Sequence, residues 1–233
     1  MLNFILNIFY PKKCMFCNEP LDNNNKYYCK KCYYKLPFTE DKVCLICGRE
    51  IYGEHKICLS CRTHKTYIDV NYPAFTYSGN IEEALKKFKF AGKMWYYKPF
   101  AKLMYENIKD KISDIDYIVY PPVNKKTFYK RGYNQMELIS KDMSKLLNIK
   151  MLKNCIYKTR ENDKQSLTSG KFRYKNVRGV FGINDSYKQT ISGRKILLLD
   201  DVMTTGATVN ECAKMLKLSG AKSVISSTLC IVK

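Results

Sequence analysis

The sequence predicts an α/β protein in which a parallel sheet flanked by helices follows a small cysteine-rich module. Three observations predict it. Eight of the eleven Cys fall within the first 61 residues as four Cys-x-x-Cys pairs. The apolar run Ile196–Leu199 ends in Asp200-Asp201 and passes through Thr204–Thr208 into a helical pattern, the order of a buried parallel strand, a loop and a helix. With 45% hydrophobic residues over 233 positions the chain can bury a core, which excludes wholesale disorder. No run of about 18 apolar residues occurs, so no membrane-spanning helix is expected.

The first element is Met1–Phe9, apolar but short, with no preceding positive charge and no small-residue cleavage site before Tyr10-Pro11-Lys12-Lys13. It reads as a helix packed on the domain behind it rather than as a signal peptide, which sets the expected location as cytoplasmic.

Four pairs follow: Cys14/Cys17, Cys29/Cys32, Cys44/Cys47 and Cys58/Cys61, with 11, 11 and 10 residues between them. A Cys-x-x-Cys turn sets two thiolates one tetrahedral edge apart, and two such turns complete a four-cysteine zinc site. Without an export signal the pairs read as metal ligands rather than disulfides. Two structural zinc ions are the expected stoichiometry. Near-equal spacing permits sequential, interleaved or nested sharing; the sequential arrangement closes the shortest loops. Asn18 and Gly48 each follow a pair and tolerate the left-handed backbone a metal knuckle needs. His55 and His64 lie near the second site, but eight thiolates already fill two tetrahedra. A module of about 60 residues is too small for a confident core of its own, so the metal is expected to supply its folding energy. The expected division is 1–65 for this module and 66–233 for the α/β domain.

Glu82–Tyr105 interleaves cations with aromatic residues: Lys86, Lys87, Lys89, Lys93 and Lys98 with Phe88, Phe90, Trp95, Tyr96 and Tyr97. Cations beside exposed aromatics are the combination used on single-stranded nucleic acid. Leu85, Phe88 and Met104 are expected to face the core. Ile115–Tyr120 reads as a strand running into Pro121-Pro122 and the basic stretch Lys125–Arg131, expected as a turn. Gly132 to about Leu147 reads as a helix with Met136, Ile139, Met143, Leu146 and Leu147 at core spacing. Thr159–Arg173 is polar, basic and aperiodic. Val209 to about Leu218 is the last helix, stopped at Gly220, and Ser223–Val232 the last strand. Cys155, Cys212 and Cys230 read as small core residues.

The charge sum is 41 basic minus 21 acidic residues, or +20, and points to polyanionic partners. Residues 86–175 carry 22 basic against 8 acidic, so most of the excess sits in the middle of the chain. Only seven of the basic residues are Arg, and Arg131, Arg160, Arg173 and Arg178 are four of them, retained in a Lys-rich composition where planar recognition of phosphate would need them.

The chemistry concentrates in Asp200-Asp201-Val-Met-Thr204-Thr205-Gly206-Ala207-Thr208. Small residues let a backbone approach a phosphate closely, and loop amides with a helix N-terminus point at it. The hydroxyls of Thr204, Thr205 and Thr208 add donors. Asp200 and Asp201 suit a ribose diol. A ribose 5-phosphate is the ligand these residues suggest, and a Walker-type loop is excluded because no Gly-x-x-x-x-Gly-Lys-Ser/Thr occurs.

Residues 196–208 resemble the phosphoribosyl-pyrophosphate (PRPP) motif of type I phosphoribosyltransferases. With the four cysteine pairs, Phe88–Lys93, Pro121-Pro122-Val123, Lys130–Gln135, Thr159-Arg160 with Gln165-Ser166-Leu167, and Arg173 with Asn176–Phe181, the chain resembles the ComF family. The resemblance implies a double zinc ribbon joined to a type I phosphoribosyltransferase-like sheet, a role in natural competence, and handling of single-stranded DNA. It implies partners among DNA-uptake proteins, a helicase included. It further implies PRPP held with Mg2+ by Asp200, Asp201 and residues 204–208, with Asp200 and Asp201 as catalytic acids. Pyrophosphate would be received near Lys125 and Lys126, where the family commonly has Arg. A closing loop would carry Arg160, Gln165 and Arg173, and DNA contacts would come from Lys86, Lys87, Lys89, Lys93, Trp95 and Arg131. The competing expectation is a metabolic phosphoribosyltransferase, of the glycosyltransferase class, moving ribose 5-phosphate from PRPP to a nitrogen nucleophile. Only about 13 residues follow Gly220, so a base-selecting hood would have to come from residues 66–110 or the zinc module. No N-terminal nucleophilic Cys for a glutaminase is expected, Cys14 being a metal ligand.

Overall fold

The computed structural model describes residues 12–22, 26–40, 42–160 and 177–233. In chain order the helices are α1 (Lys30–Tyr33), α2 (Leu59–Thr63), α3 (Gly79–Phe90), α4 (Tyr97–Ile108), α5 (Lys125–Arg131), α6 (Gln135–Leu147), α7 (Lys188–Ile191) and α8 (Ala207–Leu218). The strands are β1 (Val70–Thr76), β2 (Tyr117–Val119), β3 (Lys150–Met151), β4 (Ile156–Lys158), β5 (Phe181–Ile183), β6 (Lys195–Met203) and β7 (Ser223–Ile231). The five strands β1-β7-β6-β2-β3 form one sheet in that order, every pairing parallel, while β4 and β5 make a separate antiparallel pair.

The central strand explains the layers. Successive side chains of β6 point to opposite faces, and both faces are apolar. Leu197 and Leu199 pack with Phe88, Phe100, Met104, Met136 and Ile139 of α3, α4 and α6. Ile196 and Leu198 pack on the other face with Val209, Cys212 and Leu216 of α8 and with Phe181 and Ile183 of β5. Cys155, Cys212 and Cys230 are buried in these layers, and burial raises all three thiols.

From β6 the chain crosses through α8 to β7, and from β2 through α5 and α6 to β3 on the opposite side. The direction of winding therefore reverses between β6 and β2, and the carboxyl ends of those two strands frame a crevice where open α/β sheets hold ligands.

Several elements differ from the sequence expectation. The basic stretch after Pro121-Pro122 is a helix, not a turn, because the Asn124 side chain caps it by accepting from Thr127 N at 2.9 Å. Lys125 and Lys126 therefore lie in a helical first turn. Gly132, at φ 82°, closes α5, so α6 begins at Gln135 rather than Gly132. Leu146 is exposed, off the core face that Met136, Ile139 and Met143 share. Strand β6 runs on to Met203, so Asp200 and Asp201 sit inside the strand. The expected Met1–Phe9 helix lies outside the described residues, as do Gln165 and Arg173. Among the described residues no helix is long and apolar enough to cross a membrane.

Candidate functional site

The cysteine pairs gather as two clusters in sequential order: Cys14, Cys17, Cys29 and Cys32, then Cys44, Cys47, Cys58 and Cys61, the sulfurs of each within 4.8 Å of one another. Cys17 and Cys29 Sγ are 3.9 Å apart and Cys47 and Cys58 Sγ 3.7 Å. A Zn–S bond of about 2.3 Å gives a tetrahedral edge of about 3.8 Å, so the donors fit zinc. Backbone amides supply the knuckles: Cys29 N points at Cys14 Sγ (3.4 Å) and Cys58 N at Cys44 Sγ (3.3 Å). Asn18 (φ 64°) and Gly48 (φ 71°) hold the left-handed turns. His64 instead contacts the carbonyl of Ser60 at 3.1 Å.

The second cluster is docked on the edge strand β1. A Cβ on Gly48 would lie 2.3 Å from Pro73 Cδ and 2.8 Å from the Asn71 carbonyl, so only glycine allows this approach. Buried Asn71 donates to Cys47 O (2.9 Å) and Thr228 Oγ1 (3.2 Å), and Ser226 Oγ donates to Asn71 Oδ1 (2.8 Å). This polar knot ties β1, β7 and the cysteine module together. Next to it the Arg49 guanidinium donates to the carbonyl of Thr204. A side chain from the cysteine module thus braces the backbone of the loop that follows β6, 155 residues away in sequence.

That loop leaves β6 at Met203 and turns through Gly206 at φ 81° into α8, so Gly206 is the N-cap and the helix begins at Ala207. Thr204, Thr205 and Thr208 are half-buried and Ala207 is buried. Thr205 Oγ1 accepts from Ala207 N at 3.3 Å.

The two acids are not equivalent. Asp201 is buried; Lys89 Nζ lies 2.8 Å from its Oδ1 and Gln135 Nε2 donates to its Oδ2 at 2.7 Å. Burial alone would raise Asp201, but the Lys89 ammonium and the two hydrogen bonds hold it below the ordinary value. Asp200 is half-buried and accepts from Asp201 N at 2.8 Å. Burial, and then the charge of Asp201, raise it to about 7.

Gln135 reaches Asp201 because Asn134 pins the start of α6: its Oδ1 accepts from Met136 N (2.9 Å) and its Nδ2 donates to Pro121 O (3.2 Å). Arg131 donates through Nε to Lys89 O (2.9 Å) and through Nη1 to Gln135 Oε1, and Tyr133 donates its hydroxyl to Phe88 O. Lys89 and Arg131, two of the residues expected to contact DNA, are thus tied to the acid site. Phe88 and Tyr96 are core residues, whereas Lys87 and Lys93 are exposed, Lys86 is paired with Glu82 at 2.6 Å, and Trp95 is partly exposed against Tyr96. Arg160 donates to the carbonyl of Arg178 at 3.0 Å. Gln135, Asn134 and Arg49 were missed as site residues; Gln135 and Asn134 stood in the segment Lys130–Gln135, but no local spacing marks Arg49.

Residues 5–65 match the model of a double zinc ribbon domain and residues 137–232 that of a phosphoribosyl transferase domain. The chain is 27% identical to Competence protein F of Haemophilus influenzae over 223 residues, 93% of this chain and 95% of that protein. It is 26% identical to Competence protein ComFC of Bacillus subtilis over 208 residues, 85% of this chain and 81% of that protein. The chain belongs to the ComF family. Another relative of this ComF-family chain is DNA utilization protein YhgH of Escherichia coli K12, 24% identical over 94% of this chain and 97% of that protein. Among solved structures, it is similar to glutamine PRPP amidotransferase from B. subtilis (TM-score 0.39, 16% identity, 57% of this chain and 26% of that chain). It is also similar to adenine phosphoribosyltransferase from Saccharomyces cerevisiae (TM-score 0.37, 16% identity, 64% of this chain and 74% of that chain).

Proposed function

We propose that this chain binds PRPP with Mg2+ in the crevice between β6 and β2 and handles single-stranded DNA during natural competence. Residues 1–65 would brace the pocket and residues 66–233 form it. The observation that carries this reading is the glycine-turned bend at 204–208 opening beside a half-buried Asp200, with a lysine-rich flank next to it.

In this reading the 5-phosphate sits on the loop amides and the N-terminus of α8, with threonine hydroxyls around it. Asp200 accepts from a ribose hydroxyl. Asp201 stays charged on Lys89 and Gln135 and holds those two side chains in place. Lys125 and Lys126, in the first turn of α5, are the cations nearest in sequence to the Pro121-Pro122 turn and would meet the pyrophosphate. The hard oxygen donors of the acid pair suit Mg2+, which would neutralise pyrophosphate charge. Exposed Lys87 and Lys93, with Lys86 and Trp95, would track a DNA backbone. Competence is supported by the names of the relatives from H. influenzae and B. subtilis.

The test has two arms. Mg2+ with PRPP should raise the melting temperature, and Asp200→Asn should abolish the rise; no rise in the unmutated protein would remove PRPP from the reading. Single-stranded DNA should bind with steep salt dependence. Replacing Lys86, Lys87 and Lys93 by Ala should flatten the log–log slope by about 2, at roughly 0.7 per contact. Pyrophosphate release with free bases and none with DNA would favour the metabolic transferase instead.

A further inference from the structure

Between the end of α3 and α5 lies a cavity of about 500 Å³ lined by Lys89, Phe90, Lys126, Thr127, Lys130 and Arg131. Its size is within the about 300–1,000 Å³ usual for small-ligand sites. No carboxylate lines it. Lys89, one of the lining residues, is itself paired with Asp201 at 2.8 Å. Among the described residues Lys126 and Lys130 have no carboxylate partner, and they are one helical turn apart on α5. The sequence around the cavity is equally one-sided: no acid occurs between Glu83 and Glu106, nor between Asp116 and Glu137.

An inorganic anion would need only the cations. Phe90 adds something else. It is 76% exposed, although its helix buries Ile81, Ala84, Leu85 and Phe88, so the ring lies off the core face. The Arg131 guanidinium lies 5.7 Å from the ring centroid, and its Nε–H···O bond to Lys89 fixes its position. The result is a prearranged aromatic–guanidinium wall in the cavity that Lys126 and Lys130 also line. The same helix α5 exposes Phe128 and Tyr129 between its cations.

We propose that this cavity seats one nucleotide unit of a single-stranded polynucleotide, its base on the Phe90–Arg131 wall and its phosphodiester on Lys130. Aromatic stacking combined with cations is how single strands are held without sequence readout. Through Lys89 the cavity shares a wall with the acid site, so a strand bound there lies against the proposed PRPP crevice. The assignment rests on the DNA-handling reading above and adds the place of contact.

The full zinc-loaded chain is titrated into fluorescent oligo-dT at low salt, and the melting-temperature rise with Mg2+ and PRPP is measured in parallel. Phe90→Ala should weaken oligo-dT about tenfold, from the loss of one stacked base. Phe90→Tyr should restore binding to within about twofold, and Lys130→Ala should flatten the log–log salt slope by about 0.7. The PRPP response should be unchanged in all three. Oligo-dT binding unaltered in both Ala variants would overturn the assignment while leaving DNA handling intact. Loss of the PRPP response in the same variants would give the cavity to the sugar phosphate and overturn it as well. No oligo-dT binding by the unmutated chain would bring down the reading and the cavity assignment together.

Discussion

Replacing Asp200 by Asn should stabilise the fold while destroying its ligand response. In the native state the Asp200 carboxyl is raised from 3.8 to about 7 by burial and by the neighbouring Asp201 charge. The folded chain therefore holds this proton more tightly than the unfolded chain, and stability falls as pH climbs through the interval between those two values. At 1.36 kcal/mol per pH unit, ionising Asp200 costs about 2 kcal/mol at pH 5.5 and about 4 kcal/mol at pH 8. Asn removes that cost and keeps the acceptor for Asp201 N. The stability difference between variant and unmutated protein should grow by about 2 kcal/mol between pH 5.5 and 8, or about 1 kcal/mol with half the effect screened by water. Guanidinium melts of both proteins across that range, with zinc present throughout, give the difference directly. A difference that stays flat, or that grows toward low pH, would refute the coupled-acid picture.

Further outcomes follow from the same geometry. Arg49→Met removes the brace on the Thr204 carbonyl and should weaken Mg2+–PRPP about five- to tenfold, the scale of one hydrogen bond acting indirectly through the loop, with zinc content by metal analysis unchanged. Gly48→Ala places a Cβ against Pro73 and forces a positive φ, so it should cost about 2–4 kcal/mol in denaturant melts and expose the cysteine module to protease. Stripping zinc with a strong chelator should unfold the module first, seen as thiols becoming reactive, and should lower PRPP affinity by loosening Arg49 from the loop. Lys89→Met leaves Asp201 buried without its cation and should destabilise by about 3 kcal/mol at pH 8, less at pH 5, where the acid can take up a proton.

The parts legible in the sequence are those whose chemistry is local. A metal pair needs two thiols three residues apart, and a tight bend from a strand into a helix needs small residues, so both can be read from contiguous stretches. The sequential cysteine pairing, the turn at Gly206 and the buried run of β6 all follow from neighbours along the chain. The helix at Lys125–Arg131 was hidden because its cap, Asn124, and its stop, Gly132, bracket a stretch whose charges suggested a turn.

The acid site itself was decided by strand order. Gln135 meets Asp201 across 66 residues and Arg49 meets Thr204 across 155. Lys89 reaches the same carboxylate from the end of α3. Those meetings exist only because β2 and β6 lie side by side while β1 sits two strands away with the cysteine module on its edge. By itself the sequence determined which thiols gather for metal and where the chain turns after β6. Which acid is neutralised, and which lysines turn inward, depended on distances the fold alone sets, since a charge buried in the crevice is stable only where an opposite charge comes within a few ångströms.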